Sequence, residues 1–160
     1  TCNPDIICVG EMKSAEAFAA QEAARTGHGV ITTTHANSCS ATYYRMVTLC
    51  TQKYDMGDKT LYNLVTEAFP IVLFVKKLED NSRKVMEITE CEILPDGTRQ
   101  IHTLFRYHVS ETAVMDGKTK IMGEFQRVST ISKSLQKRLL ENGMPAKLLQ
   151  RITEIKEVVT

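Results

Sequence analysis

The chain has 160 residues, of which 42% are hydrophobic and 24% charged, as expected for an ordinary soluble globular protein. This length fits one domain, or one domain with a small appendage. The formal net charge of +1 gives no reason to expect binding to nucleic acid or to a membrane surface. No apolar run approaches the ~20 residues needed to span a bilayer, and no signal peptide is recognisable. A start at Thr1, just before a strand, suggests an excised domain.

Cysteine usage indicates a reducing compartment. The five cysteines form no C-x-x-C pair, and they are Cys2, Cys8, Cys39, Cys50 and Cys91. An odd count within apolar runs predicts buried, reduced thiols in a cytosolic setting. The same spacing argues against a zinc site.

The first forty residues predict a strand, a helix and a second strand. Residues 6–9 form a continuous apolar run, expected of a strand covered on both faces. Ser14 can cap a helix over residues 15–26 with Glu16 in its first turn, and Gly27 can end it. The β-branched residues 30–34 predict the next strand. This order is a βαβ unit, so we expect the two strands to be parallel neighbours.

Two more helices and a strand are predicted next. Ser38 can cap a helix whose apolar face carries Cys39, Tyr43, Met46, Val47 and Cys50. Asp58 can cap a third helix, which Pro70 ends and whose apolar side carries Leu61, Leu64, Val65 and Ala68. The unbroken apolar run 71–75 predicts a third core strand.

The pattern changes at residues 79–83. Residues 85–92 and 101–109 alternate apolar and polar side chains around a Pro-Asp-Gly turn, which predicts an antiparallel hairpin. A further strand at residues 121–125 follows the turn Asp116-Gly117. Two helices end the chain: Gly143 ends the first, Pro145 opens the second, and their apolar residues are Leu135, Leu139, Leu140, Leu148, Leu149, Ile152 and Ile155. We therefore predict a core portion, residues 1–80, with residues 81–160 packed on it.

An acid and two histidines stand at the predicted strand ends. Glu11 follows the first strand, at the sheet edge where α/β proteins bind ligands, and could polarise an attacking water; the alternative is a solvated loop carboxylate. His35, beside Thr34 and Asn37, could contact the γ-phosphate of a nucleotide, or could simply be hydrogen-bonded at a strand end. His28 precedes the second strand, where a structural hydrogen bond is the more common role.

Together these pieces resemble a known superfamily. The run Pro4-Asp5 to Gly10-Glu11, a helix, Thr-Gly-His-Gly, and then Thr-x-His-Ala-Asn-Ser resemble the Walker B segment and the histidine box of the secretion ATPases. That group contains the motors of type II and type IV secretion and of type IV pili. Arg45 lies where many members carry an Arg. Residues 85–90, Leu104-Phe105 and the tail 134–145 resemble the branch for tight-adherence (Flp) pili, close to the conjugation-type ATPases.

This resemblance implies an α/β fold, the C-terminal part of a RecA-like P-loop NTPase domain with parallel core strands, an antiparallel hairpin and C-terminal helices. It implies a cytoplasmic homo-hexamer at the inner face of the plasma membrane, hydrolysing ATP with Mg²⁺ and acting on platform proteins of that membrane. Glu11 would activate water and contact Mg²⁺ indirectly, and His35 would sense the γ-phosphate. Gly10, His28, Thr34 and Asn37 would line the nucleotide site.

Departures from the family pattern limit these expectations. The phosphate-binding motif G-x-x-x-x-G-K-[ST] does not occur in the 160 residues, and the family carries it upstream of Walker B. Met12-Lys13-Ser14 replaces the usual Arg-containing segment, so no arginine is assigned there, and the tetracysteine element of type II motors is missing. We therefore expect this chain alone to neither bind nor hydrolyse ATP appreciably. A non-catalytic assembly or adaptor module and a DNA translocase are the alternatives, and near-neutral charge argues against the translocase.

Overall fold

A computed structural model describes residues 3–154 of the chain. The chain divides into two compact units on either side of the bond between Val72 and Leu73. The first unit contains β1 (Ile6–Val9), α1 (Glu16–Arg25), β2 (Gly29–Thr32), α2 (Cys39–Thr51) and α3 (Asp58–Ala68). Beginning at the junction, β3 (Ile71–Lys77) is followed by β4 (Arg83–Ile93), β5 (Arg99–Met115), β6 (Lys118–Arg127), α4 (Lys133–Glu141) and α5 (Ala146–Thr153). The two-region organisation 1–80 and 81–160 stays a prediction.

The first unit confirms the predicted βαβ arrangement. Strands β1 and β2 pair in parallel, with Ile6 opposite Gly29 and Val9 opposite Thr32. The prediction that the first strand is covered on both faces is wrong, because Ile6 is 63% exposed and Ile31 of β2 is 62% exposed. Alternate side chains of a strand point to opposite faces, and in this two-stranded sheet one face is left open.

The helices of the first unit bury most of its core. All five apolar residues predicted on one face of α2 are buried, and Leu61 and Val65 of α3 are fully buried. The Tyr43 hydroxyl donates a hydrogen bond to the Phe69 carbonyl at 2.7 Å, so its one polar atom is satisfied inside the core. This bond ties the middle of α2 to the end of α3.

Helix ends follow the sequence signals in some places only. Ser38 caps α2 as predicted, and Gly27 lies just after α1 with φ +104°. Ser14 does not cap α1: its hydroxyl donates to Gln52 Oε1, while Glu16 Oε1 accepts the N–H groups of Lys13 at 2.6 Å and Ser14 at 2.9 Å.

Glu16, the first residue of α1, thus accepts two N–H groups of the segment that precedes the helix, and these N–H groups lower the pKa of its carboxylate. The third helix differs in a similar way. Its N-cap position is Gly57, and Asp58, the predicted cap, is already the first helical residue.

The third strand corrects a prediction. Instead of joining the parallel strands, β3 is an edge strand of a four-stranded sheet with the order β3-β4-β5-β6. The chain reverses between Leu78 and Ser82, where Leu78 N donates to Ser82 O at 2.8 Å and Asn81 adopts φ +63°. This tight reversal brings β3 beside β4. Leu73 and Val75 are more than half exposed, so the apolar run does not mark a fully buried strand.

The predicted antiparallel hairpin is confirmed, and the predicted further strand pairs with its second strand. Strand β4 pairs with β5 from Glu87 opposite Arg106 to Ile93 opposite Arg99, and β5 pairs with β6 from Phe105 opposite Arg127 to Met115 opposite Lys118. Gly97, with φ +84°, lies in the turn between β4 and β5, as the sequence predicts. The predicted strand at residues 121–125 is longer than expected, since β6 spans Lys118–Arg127.

The two terminal helices are present as predicted. Ser132 caps α4 by accepting a hydrogen bond from Leu135 N at 3.1 Å, Gly143 follows the helix with φ +88°, and Pro145 precedes α5. Of the predicted apolar residues, Leu135 and Leu149 are buried, Leu139 is partly buried, and Leu140, Leu148 and Ile152 are exposed. Ile155 lies outside the described residues.

Candidate functional site

The loops after β1 and β2 leave the same edge of the parallel pair. Parallel strands end side by side, so Gly10-Glu11 and residues 33–37 are brought together. Met12 N donates to Thr33 O at 2.7 Å, and the Thr33 hydroxyl donates to Gly10 O at 2.6 Å. These bonds fix the backbones of the two loops against each other.

Glu11 and His35 meet at this edge. His35 Nε2 lies 2.9 Å from Glu11 Oε1, and Lys13 Nζ lies 2.9 Å from Glu11 Oε2. The ring N–H is not aimed at Oε1, so that oxygen has a close neighbour but no hydrogen bond, although it is closed off from solvent. The two oxygens of one carboxylate therefore face two different basic side chains.

The charge of Glu11 is favoured by its surroundings. Its pKa lies below the usual value, first because Lys13 donates a hydrogen bond to it and adds a positive charge, and then because His35 is close by. Partial desolvation of the carboxylate acts in the opposite direction. An ionised carboxylate is the form that can accept a proton from water.

Lys13 is a member of the site that was not predicted from the sequence. Its charge reaches Glu11 because the chain turns immediately after the strand, before α1 begins. A basic residue two positions after the acid was the available signal. The family pattern has an arginine in this segment, and no role was predicted for the lysine.

The other predicted site residues of this edge have different environments. The Thr34 hydroxyl donates to Met12 O at 3.0 Å, which is a structural bond between the two loops. Gly10 contributes its carbonyl to the bond with Thr33. Asn37 is exposed in the loop just before Ser38 caps α2. The structure thus brings Glu11 and His35 into contact and uses Thr34 and Gly10 to hold the loops.

His28 lies at the opposite edge of the strands. It immediately precedes β2, and its Nδ1 lies 2.9 Å from the carbonyl oxygen of Pro4, which precedes β1. Four residues of strand separate the two edges by about 13 Å. The structure therefore does not bring His28 together with Glu11 and His35, and its contact is the structural hydrogen bond that its residue context predicted as the more common role.

Comparison with known proteins decides the family. The family model described as "Type II/IV secretion system protein" matches residues 2–160, almost the whole chain. The chain belongs to this family. The expectation from the Walker B-like segment and the histidine box is confirmed at the level of the secretion ATPase superfamily, whereas the tight-adherence pilus branch stays a prediction.

Two solved structures resemble this family member. The VirB11 ATPase from the Brucella suis type IV secretion system, in complex with sulphate, has 26% sequence identity and a TM-score of 0.52, covering 54% of this chain and 28% of its own. The Legionella pneumophila ATPase DotB has 21% identity and a TM-score of 0.43, covering 95% and 32% respectively. The chain thus spans a third or less of each relative. A comparison with curated proteins finds no match.

The VirB11 likeness agrees with the α/β fold class predicted from the sequence, with parallel strands, an antiparallel sheet and a RecA-like part. Between residues 3 and 154, no helix is both long and apolar enough to cross a membrane. The same stretch contains no group of three or more metal-ligating side chains placed to hold an ion.

The cysteines of this secretion-family chain are mostly buried thiols. Cys39, Cys50 and Cys91 are buried, and burial raises the pKa of Cys50 to about 11. Burial also raises the pKa of Cys91. Cys8 is exposed, so the prediction that the thiols are buried is wrong there, and Cys2 lies outside the described residues. The buried thiols are poor nucleophiles at neutral pH.

Proposed function

We propose that this chain is part of an ATP-hydrolysing secretion motor and supplies the water-activating acid and the phosphate-sensing histidine of its active site. The observation that carries the proposal is the contact between Glu11 and His35 in a member of the type II/IV secretion family. These residue types follow neighbouring parallel strands, at the edge where α/β proteins bind nucleotides. In this role Glu11 accepts the proton of the attacking water.

The residues at this edge fit one part of a nucleotide site. Glu11 provides a carboxylate that can accept a water proton or hold Mg²⁺ through water, and His35 and Asn37 present exposed polar side chains. Bound Mg²⁺ would neutralise the developing phosphate charge. The main-chain N–H cradle and lysine of a P-loop are missing from the 160 residues, so the principal phosphate-binding groups have to come from another segment.

We infer from this division that the 160-residue chain neither binds ATP appreciably nor hydrolyses it. A P-loop supplies several N–H donors and a lysine directed at the phosphates, and one histidine does not replace them. Titrating the isolated chain with ATP and Mg²⁺ by calorimetry should give no measurable binding. Micromolar affinity would contradict the inference.

The setting of the motor is part of the same proposal. We propose a homo-hexamer at the cytoplasmic face of the inner membrane, moving pilin or secreted protein through platform proteins of that membrane. The family supports a secretion system, and the resemblance of residues 85–90 and 134–145 favours the tight-adherence pilus branch. The upstream segment of the longer protein would carry the P-loop.

A second candidate is a non-catalytic assembly or adaptor module. It is favoured by the missing P-loop and by the structural use of the Thr33 and Thr34 hydroxyls, which hold the loops together. The two candidates differ in whether the full-length protein hydrolyses ATP. An intact P-loop upstream supports the motor, and its absence supports the module.

The test of the proposal is the steady-state ATPase activity of the full-length protein. We expect Glu11→Gln to abolish nearly all turnover while nucleotide binding is retained, because the amide cannot accept the water proton. Glu92→Gln is a matched control, since Glu92 is also a carboxylate in contact with a histidine, His102, at 2.7 Å. Unchanged turnover in Glu11→Gln would refute the role of Glu11. No turnover in the wild-type protein would favour the adaptor module.

A further inference from the structure

Both oxygens of the Glu11 carboxylate are engaged. Lys13 Nζ lies 2.9 Å from Oε2, and His35 Nε2 lies 2.9 Å from Oε1, an oxygen that is closed off from solvent. A general base has to reach the proton that it removes, directly or through one water. With His35 in this position, an attacking water has no access to Oε1.

The backbones of the two loops are held together, whereas the His35 side chain is exposed. Their backbones are joined by Met12 N to Thr33 O at 2.7 Å, and the Thr34 hydroxyl donates to Met12 O at 3.0 Å. The His35 side chain, in contrast, is 90% exposed and has no dense packing to lose. A rotation of its side chain therefore changes the environment of Glu11 without any rearrangement of the strands.

We propose that His35 switches between Glu11 and the terminal phosphate of a bound nucleoside triphosphate. Without that phosphate, His35 stands against Oε1 and keeps water from that one oxygen. When the phosphate is bound, His35 contacts it and Oε1 becomes available. Lys13 holds Oε2 in both states, so it acts as a positioning residue for Glu11. This inference rests on the proposed function and adds to it a link between nucleotide occupancy and exposure of the base.

The chemistry of the open state balances. The water oxygen forms a bond to the terminal phosphorus while the bond from that phosphorus to the nucleoside diphosphate oxygen breaks. Glu11 takes one proton of the water, and the diphosphate leaves with the electron pair of the broken bond. A histidine that has moved to the phosphate leaves Oε1 free for this proton, whereas a histidine that still covers Oε1 blocks it.

A double-mutant cycle in the full-length protein tests the switch. A non-hydrolysable ATP analogue and ADP are each titrated against wild type, Glu11→Gln, His35→Ala and the double variant. Glu11→Gln removes the charge that attracts the ring, so it should tighten analogue binding more when His35 is present than when it is alanine. Because the His35 side chain is exposed, its attraction to Glu11 is weak, and the ratio of the two tightening factors should be about twofold to fivefold. ADP affinities should show no such coupling.

Two results would overturn the switch. Glu11→Gln could change the affinity for the analogue by the same factor with His35 present and with His35→Ala. The repulsion between Glu11 and the phosphate alone would then explain the change in affinity. Alternatively, ADP could show the same coupling as the analogue, which would remove the dependence on the terminal phosphate. The proposed function would survive either result as long as the wild-type protein hydrolyses ATP and Glu11→Gln does not.

The matched control uses the second carboxylate–histidine pair. Glu92 Oε2 lies 2.7 Å from His102 Nε2, on β4 and β5. The same cycle with Glu92→Gln and His102→Ala should give no coupling to the analogue. Coupling of equal size there would show that the effect is a general response to charge, and it would contradict the switch.

A second measurement tests Lys13. Lys13→Met should raise the pKa of Glu11, because the hydrogen bond and the positive charge of Lys13 lower it in the wild type. The acid limb of the pH profile of kcat should then move to higher pH, and Lys13→Arg should restore it. An unchanged acid limb in Lys13→Met would overturn the positioning role.

Discussion

Ser38 lies between the loop that carries His35 and the first residue of α2, and its hydroxyl caps that helix. Its Oγ accepts a hydrogen bond from Ala41 N at 3.0 Å, from a backbone with φ −165° and ψ 168°. Ser38→Ala removes this acceptor. One of the N–H groups in the first turn of α2 then loses its partner.

The size of the effect follows from this single bond. Replacing an N-cap Ser by Ala costs about 1 kcal/mol, within a range of about 0.5 to 2 kcal/mol. For amides that exchange through local opening of the helix end, about 1 kcal/mol corresponds to roughly fivefold faster exchange. Ser38→Asp keeps an acceptor and adds a negative charge at the helix N-terminus, so we expect protection to be retained.

Hydrogen–deuterium exchange measured by mass spectrometry, on peptides that cover residues 39–47, gives the result directly. Thr48→Ala is the control, because it removes an exposed hydroxyl of the same helix whose hydrogen bond goes to Tyr44 O and not to the cap. Equal exchange in wild type and Ser38→Ala would refute the capping role. Exchange as fast in Ser38→Asp as in Ser38→Ala would refute the explanation through a lost acceptor.

Two further predictions concern the second unit. The pKa of Asp80 is lowered by the hydroxyl and N–H of Ser82 and by the N–H of Ile121. Ionised Asp80 therefore stabilises the folded state at pH values above the pKa that Asp80 has in the unfolded chain. This contribution is lost as the pH falls through the pKa that Asp80 has in the folded protein. Asp80→Asn should therefore have a lower melting temperature than the wild type at pH 7 and the same melting temperature at pH 2. The same difference in melting temperature at both pH values would contradict this. Glu90 is 1% exposed, and its carboxylate accepts a hydrogen bond from Ser132 N at 2.7 Å. Glu90→Ala should therefore lower the free energy of unfolding by about 1 to 3 kcal/mol and lower the melting temperature. An unchanged melting temperature would contradict this prediction.

Local signals in the sequence predicted the local structure well. The cap at Ser38, the glycines after α1 and α4, and the turn glycine between β4 and β5 each act within a few residues, so their effect is visible in the sequence. The parallel pairing of β1 and β2 followed from the length of the connection between them. These features fixed the edge at which Glu11 and His35 meet.

Burial and strand pairing were harder to predict because they depend on distant parts of the chain. The run 71–75 has the composition of a core strand, but the reversal between Leu78 and Ser82 pairs it with β4. The open face of β1 has the same origin, since an apolar side chain is covered only where another element packs against it. Ile6 and Ile31 are apolar in sequence and exposed in the structure.

The candidate site could be predicted in outline. A residue after a parallel strand lies at its carboxyl edge, so this rule places Glu11 and His35 at the same edge, where the structure has them in contact, and their role in a nucleotide site stays a prediction. The same rule places His28, which precedes β2, at the opposite edge, and this could have been recognised from the sequence. Lys13 could not be placed in this way, because its contact with Glu11 depends on the conformation of the loop between β1 and α1.

The central claim is that Glu11 and His35 form part of an ATP site, and a nucleotide-bound structure of the full-length protein tests it most directly. With a non-hydrolysable ATP analogue and Mg²⁺, we predict that His35 Nε2 lies about 3 Å from an oxygen of the terminal phosphate. Glu11 should then reach that phosphate through a single water. An analogue bound elsewhere, with His35 Nε2 still 2.9 Å from Glu11 Oε1, would contradict the claim.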